Sequence, residues 1–279
     1  MLTPGCAHSI YPLKVQSGGN GFHQYLRNER KKTLKKIQFN ATQLKLIAII
    51  AMTIDHLVWL FYPGLVKEVI PVSMHIVGRL TAPIMWYFIA EGCYYTKDIK
   101  KYFVRLFAFA IISHFAFCFG LGIPYNLMEG SLFNKTSVLF PLSMSILLIW
   151  IFKSDRIKNW LKIVSIVIFC ILTFVADWSS IALMMPFFLY QHRGNKKQQA
   201  IDYIVWIGVY ALIYIIFIDA FYGALQFGTL LSLPLLWNYD GTRGKEIGSK
   251  WLFYYYYPVH LVVIGCFRIL MYGDISLVF

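Results

Sequence analysis

The stretch AIIAMTIDHLVW, residues 48–59, reads as the interior of a membrane helix with one discord: Asp55 and His56 stand side by side within it. Crossing a bilayer takes about 20 predominantly apolar residues, and the flanking sequence extends this run to about 42–62. Working outward, further apolar runs follow near 69–92, 102–121, 136–152, 159–176, 179–191, 201–218, 221–237 and 251–271, the sixth being the shortest. Of the 279 residues, 58% are hydrophobic, 18% aromatic and only 14% charged, against roughly a quarter charged in an ordinary soluble domain. The expected fold is therefore all-α, a polytopic membrane bundle of about nine transmembrane helices.

The formal net charge of +13 would suggest nucleic acid in a soluble chain. In a membrane chain, basic residues gather in cytoplasmic connections, so their positions decide. Of the 26 Lys and Arg residues, 22 fall in the segment through Lys45 or in the connections holding Lys97, Lys153, Arg193 and Arg243. The alternate connections hold Lys67 and Lys135, and Arg79 and Arg268 lie inside runs. The split predicts a multi-pass protein of the inner (cytoplasmic) membrane, N-terminus inside and C-terminus outside. Its surroundings are membrane lipid, and no nucleic acid is expected as a partner. Cys6, Cys93, Cys118, Cys170 and Cys266 are odd in number and widely spaced, so neither a disulfide framework nor a metal-ligand set is expected. Residues 1–40 combine turn formers with a cationic run but no long apolar stretch. They are expected as a basic cytoplasmic arm, with an interfacial helix near Lys31 to Lys36, ahead of one membrane domain at 41–279.

Ionisable side chains inside spans are costly, so each is a functional candidate, to be weighed against an internal ion pair or a satisfied core histidine. They are Asp55 and His56 in the first run, Arg79 and Glu91 in the second, His114 in the third, and His260 and Arg268 in the ninth. At 1.5 Å per residue, Asp55 lies about 20 Å from the inner start of its helix. Arg79 lies about ten residues into a helix running back, at comparable depth, and could pair with Asp55. Glu91 belongs near the cytoplasmic mouth. Adjacent residues on a helix sit about 100° apart, so Asp55 is not expected to orient His56 from the same face. A neutral histidine can take a proton from a nucleophile near pH 7, as acyl transfer to an amine or hydroxyl requires.

TQLKLIAIIAMTIDH at 42–56, GRLTAPIMWYFIAEG at 78–92, KKYFVRLFAFAIISH at 100–114, and YDGTRG at 239–244 followed by KWLFYYYYPVHL resemble, in that order, the TraX family, named for conjugal-transfer pilin acetylation. The resemblance runs from about Gln43 to Leu261. ADWSS at 176–180 departs from the family's usual Asp followed by Tyr or Phe and Gly, so no role is given to Asp177. The family is similar in turn to broader transmembrane acyltransferases, in which a basic residue precedes a catalytic histidine by eleven positions; Lys45 and His56 have that spacing.

The resemblance implies acetyl transfer from cytoplasmic acetyl-CoA to a pilin or other peptide amine, or to a glycan hydroxyl, at or across the membrane. It implies His56 as base, with Asp55 and Arg79 as catalytic partners, Arg79 as oxyanion donor or as an ion pair with Asp55 or Glu91. Lys45 and Arg243, with Glu91 at the mouth, are expected to bind acetyl-CoA, and Tyr257 and His260 to line the acceptor path. An ion-coupled transporter or permease, or a noncatalytic membrane assembly protein, stays open; a transporter would call for inverted repeats, and none is visible.

Overall fold

The computed structural model describes residues 37–278 except 127, 130–132 and 246–250. Residues 1–36 of the expected basic arm, including its interfacial helix, lie outside the described residues. Helices occupy all nine apolar runs, and two runs are broken into shorter pieces. They are α1 (Ala41–Phe61), α2 (Val69–Gly78), α3 (Thr81–Tyr95), α4 (Ile99–Leu121), α5 (Leu139–Lys153) and α6 (Asn159–Thr173). After them come α7 (Ile181–Gln191), α8 (Lys196–Phe217), α9 (Ala220–Leu225), a 3-10 segment (Gln226–Ser232), α10 (Leu233–Trp237) and α11 (Leu252–Tyr272). Among the described residues there are two isolated bridges, Phe39 with Tyr239 and Thr136 with Ala176, and no named strand.

Six helical stretches are long and apolar enough to cross a membrane: α1, α2 with α3, α4, α8, α9 through α10, and α11. The helices α5, α6 and α7 have 15, 15 and 11 residues. Fifteen residues rise about 22 Å, less than a bilayer core of about 30 Å. Polarity is arranged inside out. Ile50, Ile112, Leu212, Val262 and Leu270 are exposed, whereas His56, His75, Glu91, Asp202, Gln226 and Arg268 are buried. That is the pattern expected where the solvent is lipid and ionisable groups find partners within the bundle.

Both broken runs have local causes. Pro83, in the first turn of α3, has no N–H to return to the carbonyl of Arg79, so the ladder stops there. Thr81 Oγ1 instead donates to the Ala48 carbonyl of α1 at 3.1 Å. In the other run, Gln226, Thr229 and Ser232 recur every third residue and are all buried. At three residues per turn they share one edge, and Thr229 and Ser232 back-bond to the carbonyls of Gln226 and Thr229, both at 2.7 Å. The breaks meet: Gly228 lies beside the Arg79 side chain.

The N-terminus of α1 is closed by a capping box, Asn40 Oδ1 accepting from Gln43 N and Gln43 Oε1 from Asn40 N, both at 3.0 Å. The YDGTRG segment then takes the first helical amides: Ala41 N donates to Thr242 O at 2.9 Å and Thr42 N to Arg243 O at 3.2 Å. These bonds satisfy donors a helix start otherwise leaves orphaned and fix Arg243 beside the turn that carries Lys45. Helix α11 lies against α4 through Gly120 and Gly265, where a Cβ would come within 2.8 Å of the Leu261 carbonyl and 2.4 Å of the Phe119 ring. Small residues at such contacts let helix backbones approach in a membrane.

Candidate functional site

One stripe of α1 organises the site. Lys45, Ala48, Met52, Asp55, His56 and Trp59 recur at helical spacing, and all but Lys45 line a cavity of about 120 Å³ enclosed by the bundle. Eleven residues make three turns, so Lys45 and His56 lie on one face about 16 Å apart along the axis. The cavity wall also includes Arg79, Tyr257 and Asp177, so the structure brings together Asp55, His56, Arg79 and Tyr257.

Asp55 is held by two donors. Its Oδ1 accepts from His75 Nδ1 at 2.9 Å and from Arg79 Nη2 at 3.1 Å. The approach depends on Gly78, whose hypothetical Cβ would fall 2.4 Å from the Asp55 Cβ and Oδ1. Arg79 is tied further: Nη1 donates to Gln226 Oε1 at 3.2 Å, and Gln226 Nε2 donates to the Tyr222 carbonyl at 3.1 Å, which fixes the amide's orientation. The guanidinium stands 5.3 Å from the Trp178 ring centroid, a cation–π contact. Arg79 thus pairs with Asp55 rather than with Glu91.

His56 faces a different partner. Its Nδ1 is 2.7 Å from His260 Nε2, and His260 Nδ1 is 2.9 Å from the Tyr256 carbonyl. A carbonyl only accepts, so His260 carries its proton on Nδ1. A neutral His260 then accepts at Nε2, so His56 donates from Nδ1 and keeps its lone pair on Nε2. His260 therefore sits behind His56 and sets its tautomer.

The cavity wall also contains residues that sequence reasoning passed over. Asn134, Asp177, Trp178, Tyr210 and Tyr214 all line the cavity. Asp177 N donates to the Thr136 carbonyl at 2.8 Å, pinning the α6–α7 turn to the α4–α5 connection. Asn134, Trp178 and Ser179 have positive φ of 57°, 62° and 50°, a region that costs side-chain-bearing residues energy and clusters at functional sites. Trp178 stacks on Tyr210 with centroids 5.0 Å apart. The turn thus keeps the aromatic position of the Asp-aromatic-Gly pattern, with Ser179 where the glycine would be. His75, four residues before Arg79 within an apolar run, is the other omission, and that spacing was its signal.

At the start of α1, Lys45 Nζ lies 5.0 and 5.4 Å from the ring centroids of Phe88 and Phe253, and Arg243 is close enough to act on it electrostatically. Glu91 is not in the cavity wall. It accepts two bonds from Arg193, at 2.7 and 3.1 Å, while Arg193 stacks 3.6 Å above the Tyr94 ring centroid and donates to Tyr95 Oη at 2.9 Å. The hydrogen bonds it donates to Glu91 raise the Arg193 pKa above its usual range. His114 lies elsewhere, with Nδ1 3.1 Å from Thr136 Oγ1. Among the described residues there is no group of three or more His, Cys, Asp or Glu side chains placed to hold a metal ion.

A family model described as TraX protein matches residues 40–268. The probable fimbrial assembly protein FimC, serogroup H1, of Dichelobacter nodosus is 30% identical over 239 residues, covering 82% of this chain and 96% of that protein. No solved structure matches. The match begins at Asn40, the N-cap of α1, and ends at Arg268 in α11, so it takes in Asp55, His56, Arg79, Asp177 and Tyr257 of the cavity wall: the chain belongs to the TraX family.

Proposed function

We propose that the protein is a membrane-embedded acetyltransferase that moves an acetyl group from cytoplasmic acetyl-CoA to an acceptor reaching the cavity from the outer side. In this reading the helices make nine spans of the inner membrane, N-terminus inside and C-terminus outside, ahead of which residues 1–40 form a cytoplasmic arm. The observation that carries it is the His56–His260–Tyr256 relay, which leaves a basic nitrogen on an enclosed cavity three helical turns from a paired-cation mouth.

Acetyl-CoA fits the chemistry of that mouth: Lys45 and Arg243 supply charge for its phosphates, and the faces of Phe88 and Phe253 hold the Lys45 ammonium. His56 Nε2 takes the acceptor's proton as the acceptor's lone pair attacks the thioester carbonyl carbon. The C–S bond breaks, and the proton returns from His56 to the departing sulfur. Arg79, anchored by Asp55 and Gln226, places positive charge beside the oxyanion. Tyr257 lines the acceptor path and His260 holds the base. Glu91 serves the mouth by fixing Arg193.

The test is discharge of labelled acetyl-CoA by protein reconstituted in vesicles. A general base contributes about 10² to 10⁴ in rate, so His56→Ala should lower kcat by that factor while acetyl-CoA binding persists. Lys45→Ala or Arg243→Ala should weaken binding by about 1.5–3 kcal/mol, the value of a hydrogen bond to a charged group. A His56→Gln protein with most of its turnover removes His56 as base. Wild-type protein that neither binds nor discharges acetyl-CoA refutes acetyl transfer and leaves a transporter or a noncatalytic assembly protein.

A further inference from the structure

The outer end of the cavity is closed by the segment that follows α11. Arg268, itself buried, reaches past the end of its helix, Nη1 donating to the Ile275 carbonyl at 2.9 Å and to Asp274 Oδ1 at 3.2 Å, and Nη2 to the Phe119 carbonyl at 3.2 Å. Residues 273–278 then run across the bundle as a strap. Leu277 N donates to the Leu121 carbonyl at 2.9 Å, and the Leu277 carbonyl accepts from Gly64 N at 3.0 Å. The Leu277 side chain is 1% exposed, and Val278 lines the cavity itself. Gly122 is required for the approach: with φ of +70°, it would place a Cβ 2.7 Å from the Ile275 carbonyl.

Three features make this a slot for polypeptide main chain. Both backbone groups of Leu277 are bonded, by backbone atoms at the end of α4 and in the α1–α2 connection. Such bonding reads no side chain, so the main chain of another polypeptide can make it. A buried pocket takes the Leu277 side chain, which favours an apolar residue at that position. The next residue points into the cavity, whose wall includes Trp59, one turn beyond His56.

We infer that the slot between Gly64 and Leu121 is the docking site for a polypeptide acceptor bound through its main chain, and that the strap Asp274–Val278 occupies it in the resting protein. This rests on the acetyl-transfer reading for its purpose but not for its geometry. The strap is then an internal competitor: an acceptor displaces Leu277 and presents its own chain to the cavity in place of Val278. A glycan has no alternating N–H and C=O groups with which to replace these bonds.

The probe is a synthetic hexapeptide, Gly-Asp-Ile-Ser-Leu-Val, copying residues 273–278, with a photoreactive leucine at the fifth position. Leu277→Gly empties the side-chain pocket. In reconstituted protein, this variant should take up the probe at a concentration at least tenfold lower than the parent, with cross-links near Gly64 and Leu121. A second variant keeps the idea testable if the first folds poorly. Gly64→Cys with Leu277→Cys, in a protein whose own five cysteines are alanine, should lose labelling when oxidised and regain it on reduction. Equal labelling of parent and Leu277→Gly, cross-links elsewhere, labelling unaffected by oxidation, or displacement of the probe by an oligosaccharide overturns the slot. Acetyl-CoA discharge to water in the same vesicles separates the two readings. Labelling at the slot without discharge retires acetyl transfer and supports the slot, whereas discharge without labelling retires the slot alone.

Discussion

Gly78→Ala is the most searching single substitution in this structure, because two effects of known size oppose each other. Gly78 is the last residue of α2, and alanine is favoured over glycine in helices by about 1 kcal/mol. Propensity alone predicts stabilisation. The new Cβ would stand 2.4 Å from both the Cβ and Oδ1 of Asp55, so something must move by about an ångström. Overpacking costs about 1–3 kcal/mol. The same shift stretches the two bonds that Oδ1 accepts from His75 and Arg79, and a hydrogen bond to a charged group contributes about 1.5–3 kcal/mol. The net expectation is a loss of roughly 2–4 kcal/mol, or on the order of 5–15 °C in melting temperature for a chain this size. Tryptophan fluorescence of detergent-solubilised protein during heating measures it. Gly208→Ala is the control, since a Cβ there meets nothing within 4 Å and should raise the melting temperature slightly. Gly78→Ala protein melting at or above the parent temperature would refute the tight Gly78–Asp55 contact and with it the anchoring of Arg79.

His260→Leu, which removes the acceptor for His56 Nδ1–H, should lower turnover about tenfold and shift its pH profile, while His260→Gln, whose amide oxygen can accept that proton, restores much of the rate; both are read from pH–rate curves. Glu91→Gln breaks a two-bond pair with Arg193 and should lower the melting temperature without changing the affinity for acetyl-CoA in a calorimetric titration, separating support of the mouth from direct contact with the ligand. Ser179→Gly should stabilise the fold by about 1 kcal/mol, because Ser179 adopts φ of 50°, where glycine meets no Cβ penalty; a lower melting temperature would show that the serine side chain is required there.

The positions of the helices were legible because apolar runs of the needed length are a one-dimensional signal. The Asp55–Arg79 pair was legible from depth arithmetic along two successive helices. The His56–His260 contact was not, since it joins residues 204 apart and no spacing rule spans such a gap. The break after Arg79 had its cause in view, at Pro83, but the hydrogen bond from Thr81 to the α1 backbone beside it did not. Asp177 was set aside because its turn departs from the family's Asp followed by Tyr or Phe and Gly; the backbone there is left-handed nonetheless, with positive φ at Trp178 and Ser179. Sequence alone shows which residue is missing from a pattern, not whether the surrounding fold enforces the same geometry without it.

The shortness of α6 bears on the lipid around the protein. Its helix has 15 residues, Thr173 is its buried position, and Ile163, Val167, Ile168 and Ile171 are exposed. Lys162 Nζ is drawn back to the Phe152 carbonyl at 3.1 Å, which leaves a greasy belt of about 20 Å on that flank. Hydrocarbon about 30 Å thick cannot match such a belt without compressing, at a cost of fractions of a kcal/mol per ångström. Lipids with short or disordered tails should therefore collect along α6, and reconstitution in bilayers of increasing chain length should progressively strain this edge of the bundle while leaving the α4–α11 side at rest.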